Sequence, residues 1–277
     1  MNSPLNLLAL AIRAAARAAV FLRTVPVPED PSLWTVKGRS DFVTGVDREA
    51  ERVIREELAT GSPAPVVGEE LSPDHRPTGL HWIVDPLDGT TNFLHRYPAW
   101  AVSIAAVDGE EVLAGVVHRP VDDRVCSAAR GHGAWENGRP LRVSPVQDPR
   151  FALIGTGFPF KNPEAMEDYQ RQFASILLAT SGVRRAGSAA LDLADVAAGR
   201  FDGFWELHLA PWDMAAGLLL IREAGGVVTD REGKERQPAH GSVVAGNPII
   251  HRWLLGVLRP ESGVTPEAGS GSADPRR

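Results

Sequence analysis

The strongest constraint on the fold comes from residues 82–93, where an apolar run passes directly into two aspartates, Asp85 and Asp88. The apolar residues predict a short buried strand that ends at Asp85, and loops at strand ends are where α/β proteins place their chemistry. Pro86 and Gly89 interrupt the segment, so the two carboxylates cannot lie on a regular helix and are expected to converge in a turn. Two converging carboxylates suit a hard cation, which prefers oxygen ligands, although Asp and Gly are also ordinary turn formers.

The composition is that of a globular protein. The chain has 277 residues, of which 43% are hydrophobic and 23% charged, so it can form one large domain or two small ones. Its net charge of -6 argues against a broad surface for nucleic acid or an anionic membrane. Cys126 is the only cysteine, which rules out an intramolecular disulfide, fits a reducing compartment and predicts a buried structural thiol.

The apolar, alanine-rich residues 5–22 raise the question of an export signal. No Lys or Arg precedes them, and Arg13 and Arg17 lie inside the apolar run, which is not the arrangement of a signal peptide or a membrane span. Instead, the sequence predicts an amphipathic helix with Leu8, Ile12, Ala16 and Ala19 along one side. We therefore predict a cytoplasmic protein that does not contact a membrane.

The first half of the chain predicts two helices and then a β-meander. The helices are expected over residues 5–24 and 45–60, with Thr44 as the cap of the second. Strands joined by Asp-Gly and Asn-Gly turns follow between residues 100 and 143, and the last strand is expected over residues 141–143.

The second half predicts alternating strands and helices, with helices that begin near Asn162, Ser188 and Asp213. A meander followed by an α/β half favours a layered α/β sandwich over a barrel or a doubly wound sheet. The predicted boundaries are 1–260 for a single domain, about 1–150 and 151–260 for its two subdomains, and 261–277 for a disordered tail rich in Gly, Ser and Pro.

Several acidic residues stand at strand ends or at the start of a helix. They are Glu69 and Glu70 after a pair of valines, Asp85 and Asp88, Glu206 after an apolar strand, and Asp213 at a helix start. Each acid has an ordinary explanation on its own: Asp213 can cap its helix, and Asp47 can close a capping box with Thr44. If the acids cluster, their repulsion in a low dielectric requires a bound cation, and oxygen ligands favour Mg²⁺. The histidines show no ligand spacing, so zinc is not expected.

Residues next to the aspartates suit a phosphate group. Gly89, Thr90 and Thr91 can present backbone N–H groups and hydroxyls at a turn, which favours an anion. Acids that hold Mg²⁺ beside such a turn are typical of metal-assisted phosphoryl transfer. The sequence contains neither a P-loop nor a dinucleotide-binding glycine motif behind a strand, which disfavours nucleoside triphosphates and dinucleotides as ligands.

Two long motifs resemble the signatures of the inositol monophosphatase family. The stretches that carry the resemblance are residues 41–47 and 68–70, the first signature at 85–93, a stretch typical of the bacterial branch at 187–200, and the second signature at 212–217 with 223–226. The match extends over residues 5–258. Two long motifs at the family's spacing are far more specific than one short motif.

This resemblance implies an αβαβα layered fold and a Mg²⁺-dependent, lithium-sensitive phosphomonoesterase that forms a homodimer. It implies that Glu69, Asp85 and the backbone carbonyl of Leu87 hold one Mg²⁺, and that Asp85, Asp88 and Asp213 hold a second. A third, weaker ion is implied near Glu69, which gives two to three ions per site.

The resemblance also implies the catalytic and substrate-binding residues. Thr90 and Asp47 would orient and help deprotonate the attacking water, with Glu69 as a third catalytic residue, and Lys37 would lie near the site. The residues implied to bind the substrate are Asp88, Gly89, Thr90, the backbone of Ala189, Glu206 and Asp213. No serine or cysteine nucleophile is apparent, and no phosphoenzyme is needed.

The leading hypothesis is hydrolysis of a small phosphorylated polyol, inositol-1-phosphate, to inositol and phosphate. Glu206 favours a polyol because a carboxylate accepts two hydroxyl hydrogen bonds, but it would equally suit the ammonium group of histidinol phosphate. Histidinol-phosphate phosphatase, fructose-1,6-bisphosphatase and nucleotide 3′-phosphatase therefore remain alternatives. The non-enzymatic alternative is a regulatory protein of ribosomal RNA transcription complexes, which would act through a protein partner without binding nucleic acid directly.

Overall fold

The computed structural model describes residues 3–27, 30, 32, 34–38, 41–43, 45–160 and 162–259. These residues form five layers, in the order helices, sheet, helices, sheet, helices. The α/β fold class and the layered αβαβα sandwich predicted from the sequence are confirmed. The predicted tail lies outside the described residues.

The α-helices of the described residues share one role, which is to cover or separate the two large sheets. They are α1 (Pro4–Thr24), α2 (Gly45–Ala59), the short α3 (Thr90–Leu94), α4 (Met166–Ala179), α5 (Ala189–Ala197), α6 (Pro211–Glu223) and α7 (Pro248–Leu258). Short 3-10 turns at Pro149–Phe151 and Pro163–Ala165 precede β10 and α4.

The strands of the described residues form a small hairpin and two sheets. The hairpin joins β1 (Thr35–Gly38) and β2 (Asp41–Val43). The larger sheet contains β3 (Val66–Gly68), β4 (Leu80–Asp88), β5 (Ala101–Asp108), β6 (Glu111–Arg119), β7 (Arg124–Ala129), β8 (Ala134–Glu136) and β9 (Arg139–Pro140). The smaller sheet contains β10 (Leu153–Thr156), β11 (Gly182–Arg184), β12 (Gly203–Leu209), β13 (Val227–Thr229) and β14 (Gly241–Gly246).

The larger sheet lies between α1 and α2 on one face and α5 and α6 on the other. Its strands follow chain order and are antiparallel, except that β3 runs parallel to β4. Successive side chains along β4 point to opposite faces of the sheet. Trp82 and Val84 pack with α1 and α2, whereas Ile83 packs with the central helices. Both faces of β4 are therefore buried, as its nearly continuous apolar sequence requires.

The smaller sheet has the strand order β11-β10-β12-β14-β13 and lies between the central helices and the outer pair α4 and α7. Strand β10 is parallel to β11 and β12, and β14 is antiparallel to β12 and β13. Phe204 faces the central helices, and its neighbour Trp205 faces the outer pair. The helices α5 and α6 therefore stand between the two sheets.

Helix α1 forms as predicted, and of the four residues expected along one side Ala19 is buried, Leu8 and Ile12 pack against the core while partly buried, and Ala16 is exposed. The buried face consists of Leu7, Leu10, Ala11, Ala14, Ala15, Ala18, Ala19 and Leu22. The small side chains let the helix pack closely, and Arg13 and Arg17 fix its rotation by pairing with Glu57 of α2 at 3.0 and 3.1 Å. Among the described residues, α1 alone is long and apolar enough to span a membrane, and 44% of its apolar window is buried in the protein.

Strand β4 does not end at Asp85, as the sequence suggested, but continues to Asp88 through a β-bulge. Asp85 pairs with Ser103, and Asp88 pairs with Ala101, so β4 has one residue more than its partner here. In a regular strand, residues three apart face opposite sides, and the extra residue brings both aspartates to the same side. Pro86 is tolerated because a bulge leaves one position out of the hydrogen-bond ladder.

Strand β12 contains a β-bulge of the same kind. It was expected to end at Glu206 but continues to Leu209, with Glu206 paired to Val243 and Leu209 paired to Gly241, again with one extra residue. Asp85 and Glu206, each predicted to end a strand, therefore lie within strands, immediately before a bulge.

The strand predicted over residues 141–143 was wrong. The chain turns directly after Glu136, so that Glu136 pairs with Arg139. Strand β9 therefore ends at residue 140. The backbone of Val143 instead donates to the carbonyl of Ala224, at the end of α6, at 3.1 Å. The backbone N–H of Leu141 still donates to the carbonyl of Ala134 at 2.8 Å, but the pairing does not continue to residues 142 and 143.

Candidate active site

Three aspartates from two distant parts of the chain meet between the two sheets. Asp85, Asp88 and Asp213 each offer a carboxylate oxygen, and these oxygens all lie within 4.8 Å of one another. Asp85 and Asp88 come from the bulged end of β4, and Asp213 is the third residue of α6. The convergence expected from the sequence is therefore present, and we call these three residues the acid cluster.

Asp85 is the most enclosed member of the acid cluster, with 1% of its surface exposed. Its Oδ1 accepts a hydrogen bond from the backbone N–H of Leu87 at 2.9 Å, across the bulge. Burial, followed by the negative charges of Glu69, Asp88 and Asp213, raises the pKa of Asp85 well above the usual aspartate range. A compensating cation would remove this penalty, since it favours the charged form.

Asp88 is held by the first turn of α5. Its Oδ2 accepts hydrogen bonds from the hydroxyl of Ser188 and from the backbone N–H of Ala190, the latter at 2.8 Å. These donors lower the pKa of Asp88, but burial outweighs them and the pKa is raised overall. Ser188 also caps α5, as its Oγ accepts from Leu191 N at 3.3 Å. The sequence predicts the start of a helix near Ser188 but not the bond of Ser188 to Asp88, because the partners are 100 residues apart.

Asp213 owes its position to the close packing of α6. A Cβ on Gly217 would lie 2.6 Å from Leu193 of α5, so glycine lets the two helices approach. Asp213 Oδ2 accepts a hydrogen bond from the backbone N–H of Ala210 at 2.7 Å, which agrees with the ordinary capping role considered from the sequence. Burial, then the charges of Asp88 and Glu69, raise the pKa of Asp213 well above its usual range.

Glu69 lies beside the acid cluster because of the parallel pairing of β3 with β4. Gly68 is opposite Val84, so the next residue along β3 is carried to the side of Asp85. The backbone N–H of Glu69 donates to the carbonyl of Val84 at 3.2 Å. Glu69 is not one of the three residues within 4.8 Å, but its charge raises the pKa of both Asp85 and Asp213.

Thr90 connects the acid cluster to helix α2. Its hydroxyl lies 2.9 Å from Asp47 Oδ1 and 3.2 Å from the carbonyl oxygen of Leu87. Asp47 is 1% exposed and lies in the first turn of α2, so its carboxylate faces inward. Thr44, the proposed capping partner of Asp47, and the side chain of Lys37 lie outside the described residues.

The turn from β4 into α3 requires glycine. Gly89 has φ +96°, and a Cβ there would lie 2.9 Å from the carbonyl oxygen of Ala99. Asn92 fixes the same turn, because its Nδ2 lies 2.6 Å from Ala99 O and 3.0 Å from Ala186 O. Sequence analysis included Asn92 in the motif but gave it no role.

A cavity of about 190 Å³ opens between the acid cluster and the smaller sheet. It is lined by four of the predicted substrate-binding residues, which are Asp88, Ala189, Glu206 and Asp213. Gly89 and Thr90 do not line it. The predicted substrate residues are thus divided between the cavity and the turn after β4.

Glu206 has its place in the cavity because residue 157 is glycine. A Cβ on Gly157 would lie 2.1 Å from the carboxylate of Glu206. Arg185 also lines the cavity, and its guanidinium carbon lies 5.2 Å from the ring centres of both Phe158 and Phe160. Sequence analysis missed these three residues, since loops between strands carry no periodic signal.

The ligand atoms of the acid cluster fit a hard divalent cation. They are carboxylate oxygens, with no histidine or cysteine in the group. The predicted structural thiol is confirmed for Cys126, which is buried and whose pKa burial raises to about 12.

Comparison with known proteins agrees with this geometry. The profile of the inositol monophosphatase family matches residues 5–262. An inositol-1-monophosphatase of Rhizobium meliloti (strain 1021) is 48% identical over 227 residues, which cover 81% of this chain and 85% of the relative. A Nus factor SuhB of Salmonella typhimurium (strain 14028s) is 42% identical over 258 residues, which cover 92% of this chain and 96% of the relative.

The solved structures show the same fold. The structure of inositol monophosphatase from Anabaena superimposes with a TM-score of 0.80 at 36% identity, and the match covers 91% of this chain and 94% of that one. The layered fold and the acid cluster define a metal-dependent phosphatase that hydrolyses phosphoric monoesters. The chain belongs to the inositol monophosphatase family.

Proposed function

We propose that the protein is a Mg²⁺-dependent phosphomonoesterase that hydrolyses inositol-1-phosphate to inositol and phosphate. The observation that carries this proposal is the acid cluster, whose oxygens lie within 4.8 Å and open onto a polar cavity. The name of the Rhizobium meliloti relative, inositol-1-monophosphatase, supports the substrate.

We propose two to three Mg²⁺ ions per site. Glu69, Asp85 and the backbone carbonyl of Leu87 would hold one, and Asp85, Asp88 and Asp213 would hold another. The raised pKa values of Asp85 and Asp213 support this assignment, because such crowded carboxylates ionise together only beside a positive charge. When bound, Mg²⁺ would supply an acidified water and neutralise the charge that develops on the phosphate and the leaving oxygen.

The chain's own residues would manage the proton of the attacking water. The Thr90 hydroxyl donates to Asp47 Oδ1 at 2.9 Å, which leaves the lone pairs of Thr90 Oγ1 to accept a hydrogen bond from water. In this proposal, Thr90 orients the water and passes a proton towards Asp47, with Glu69 as a third catalytic residue. The backbone N–H groups of Gly89 and Thr90 would bind the phosphate.

The cavity would hold the alcohol part of the substrate. Glu206 and Asp213 line it and would accept hydrogen bonds from substrate hydroxyls, together with the backbone of Ala189. Gly157 supports this role because it leaves the space that the Glu206 carboxylate occupies.

Phosphate release from a panel of substrates tests the proposal. The panel comprises inositol-1-phosphate, histidinol phosphate, fructose-1,6-bisphosphate and 3′-phosphoadenosine phosphate, each with Mg²⁺ and with a chelator. We expect the highest kcat/KM for inositol-1-phosphate, with no activity in chelator and full recovery in Mg²⁺. Unchanged hydrolysis in chelator would contradict the metal role, and a preference for another substrate would replace inositol-1-phosphate with one of the alternatives.

A second candidate function is a role in a transcription complex, which the name of the Salmonella Nus factor SuhB supports. The variant Asp88→Asn separates the two functions because it removes a charge from the acid cluster and leaves the outer surface unchanged. Binding to purified RNA polymerase by both the wild type and this variant would support an additional role. No binding by either would restrict the proposal to catalysis.

We further propose a cytoplasmic homodimer that is inhibited by Li⁺ and contacts neither nucleic acid nor a membrane. The buried face of α1 and the buried thiol of Cys126 support the location. Light scattering after gel filtration tests the dimer, and a Li⁺ titration of phosphate release tests the inhibition.

We also propose that residues 1–260 form a single domain, which consists of two subdomains at about 1–150 and 151–260. The larger sheet, up to residue 140, and the smaller sheet, from residue 153, support this division.

A further inference from the structure

Another buried carboxylate, Glu51, lies outside the acid cluster and has no part in the function proposed above. Glu51 lies on α2, one helical turn after Asp47, and its exposed surface is 0%. A buried charge is costly unless it is paired and hydrogen-bonded. The partners of Glu51 therefore show what this carboxylate stabilises.

The two oxygens of Glu51 bind different groups. Oε2 accepts hydrogen bonds from the backbone N–H groups of Glu70 and Leu71, at 2.8 and 3.2 Å. Oε1 accepts from Arg55 of the same helix, at 2.8 Å from Nε and 2.7 Å from Nη2. Glu51 thus holds the turn that directly follows Glu69, through charge-assisted hydrogen bonds.

Arg55 extends the attachment to the base of the same turn. Its Nη2 donates to the carbonyl oxygen of Val66 at 3.3 Å and to the hydroxyl of Ser72. The Ser72 hydroxyl in turn accepts from Gly68 N at 3.1 Å. The turn is therefore fixed on both sides of Glu69.

Glycine at position 68 makes room for this arrangement. A Cβ on Gly68 would lie 2.0 Å from Glu51 Oε1 and 2.6 Å from Oε2. The φ angle of Gly68 is not in the left-handed region, so the backbone does not require glycine there. The requirement comes from the carboxylate of Glu51, which occupies the space of a side chain.

One face of α2 thus holds two parts of the site. Asp47 binds Thr90, in the turn after β4, and Glu51 binds the turn that carries Glu69. We propose that Glu51 is a positioning residue, which places Glu69 against the acid cluster and so sets the affinity of the site for Mg²⁺. This inference rests on the proposed metal-dependent function.

The variant Glu51→Gln tests the inference with little change in side-chain volume. An amide has one acceptor oxygen and one donor group, so it must turn its donor either to Arg55 or to the N–H groups of Glu70 and Leu71. We expect the dissociation constant for Mg²⁺ to rise about 10- to 100-fold, as for other residues that orient metal ligands. Isothermal titration calorimetry of the metal-free protein with Mg²⁺ measures this directly.

Two controls separate positioning from general stability. Glu56→Gln removes the same charge from the exposed side of α2 and should leave Mg²⁺ affinity unchanged. At saturating Mg²⁺, the KM of Glu51→Gln for inositol-1-phosphate should stay within about twofold of the wild type, because the substrate cavity is untouched. Folded Glu51→Gln that binds Mg²⁺ as tightly as the wild type would overturn the inference.

Two further measurements apply even if Glu51→Gln does not fold. Gly68→Ala displaces the carboxylate from the opposite side and should weaken Mg²⁺ binding in the same way, without changing any charge. In the wild type, the amides of Glu70 and Leu71 should exchange hydrogen far more slowly than exposed loop amides, and exchange at the loop rate would contradict their bonds to Glu51. If the wild type itself bound no divalent cation, the proposed function would fail instead.

Discussion

The two sides of the cavity are built differently. On the acid side, which we define as Asp85, Asp88, Asp213 and Thr90, each side chain has a hydrogen-bond partner within the site. On the recognition side, which we define as Glu206, Arg185, Phe158 and Phe160, the two rings are 37% and 39% exposed, and the guanidinium of Arg185 lies over both. The acid side is fixed as the proposed reaction centre requires, and the recognition side leaves room for variation in the alcohol of the proposed substrate.

The largest effect is expected when the acid side loses a charge. Asp88→Asn should lower kcat by about 10²- to 10³-fold, because it removes one anion from the proposed cation site. Phosphate release from inositol-1-phosphate at saturating Mg²⁺ measures this. Asp108→Asn, at an exposed position, is the matched control and should behave as the wild type. Near-normal turnover by a folded Asp88→Asn protein would show that the acid side is no more important for turnover than the recognition side.

The Thr90 hydroxyl is expected to have the next largest effect. Thr90→Val keeps the shape of the side chain but cannot bond to Asp47, so kcat should fall about 100-fold, as when proton transfer is impaired. Thr90→Ser keeps the hydroxyl and should retain most of the activity. A Thr90→Val protein that is as active as Thr90→Ser would show that the hydroxyl has no part in turnover.

On the recognition side, a smaller and substrate-dependent effect is expected. Glu206→Gln should raise the KM for inositol-1-phosphate about 10-fold, the usual cost of weakening a hydrogen bond to a charged group. Hydrolysis of p-nitrophenyl phosphate, which has no hydroxyls to bind, should be unchanged. A similar loss with both substrates would place Glu206 in the reaction centre instead.

The smallest expected effect is a pH dependence of the free energy of unfolding. It originates in the half of the chain that forms the smaller sheet. His251 bonds to Thr229 at 3.0 Å, and burial lowers its pKa to about 4. The unfolded chain takes up a proton near its ordinary pKa of about 6.5, whereas the folded protein does not until about pH 4. Stability from this residue is therefore complete above about pH 6.5 and is lost as the pH falls towards 4.

Urea unfolding at pH 7 and pH 5, with a chelator present, measures this dependence. His251→Gln should lose less stability than the wild type between the two pH values. An identical loss in both proteins would assign the acid sensitivity to other groups.

The acid side could be predicted from the sequence to a greater extent than the recognition side. The acid side lies in long motifs, so Asp85 and Asp88 could be predicted to converge from their spacing, and Asp213 to join them through the family resemblance, even though the bulge that aligns the first two could not be predicted. The bulge depends on pairing with Ser103 and Ala101 of the next strand, which no local pattern specifies. Thr90 and Asp47 were predicted as partners only through the family resemblance.

The recognition side and the role of Glu51 were not fully predicted from the sequence, for different reasons. Arg185 and Phe158 lie in connections whose packing depends on the tertiary fold. Glu51 falls on the apolar face of α2, where a charged residue conflicts with the helical pattern, and this conflict was the available signal. Only the fold shows that a turn from another strand provides its partners.

The central claim is that the acid side binds divalent cations, and anomalous diffraction from crystals soaked in Mn²⁺ tests it most directly. We expect anomalous peaks between the carboxylates of Asp85, Asp88 and Asp213, and their loss from Asp88→Asn crystals. An ordered, metal-free acid cluster at saturating Mn²⁺, or peaks only elsewhere on the protein, would contradict the claim.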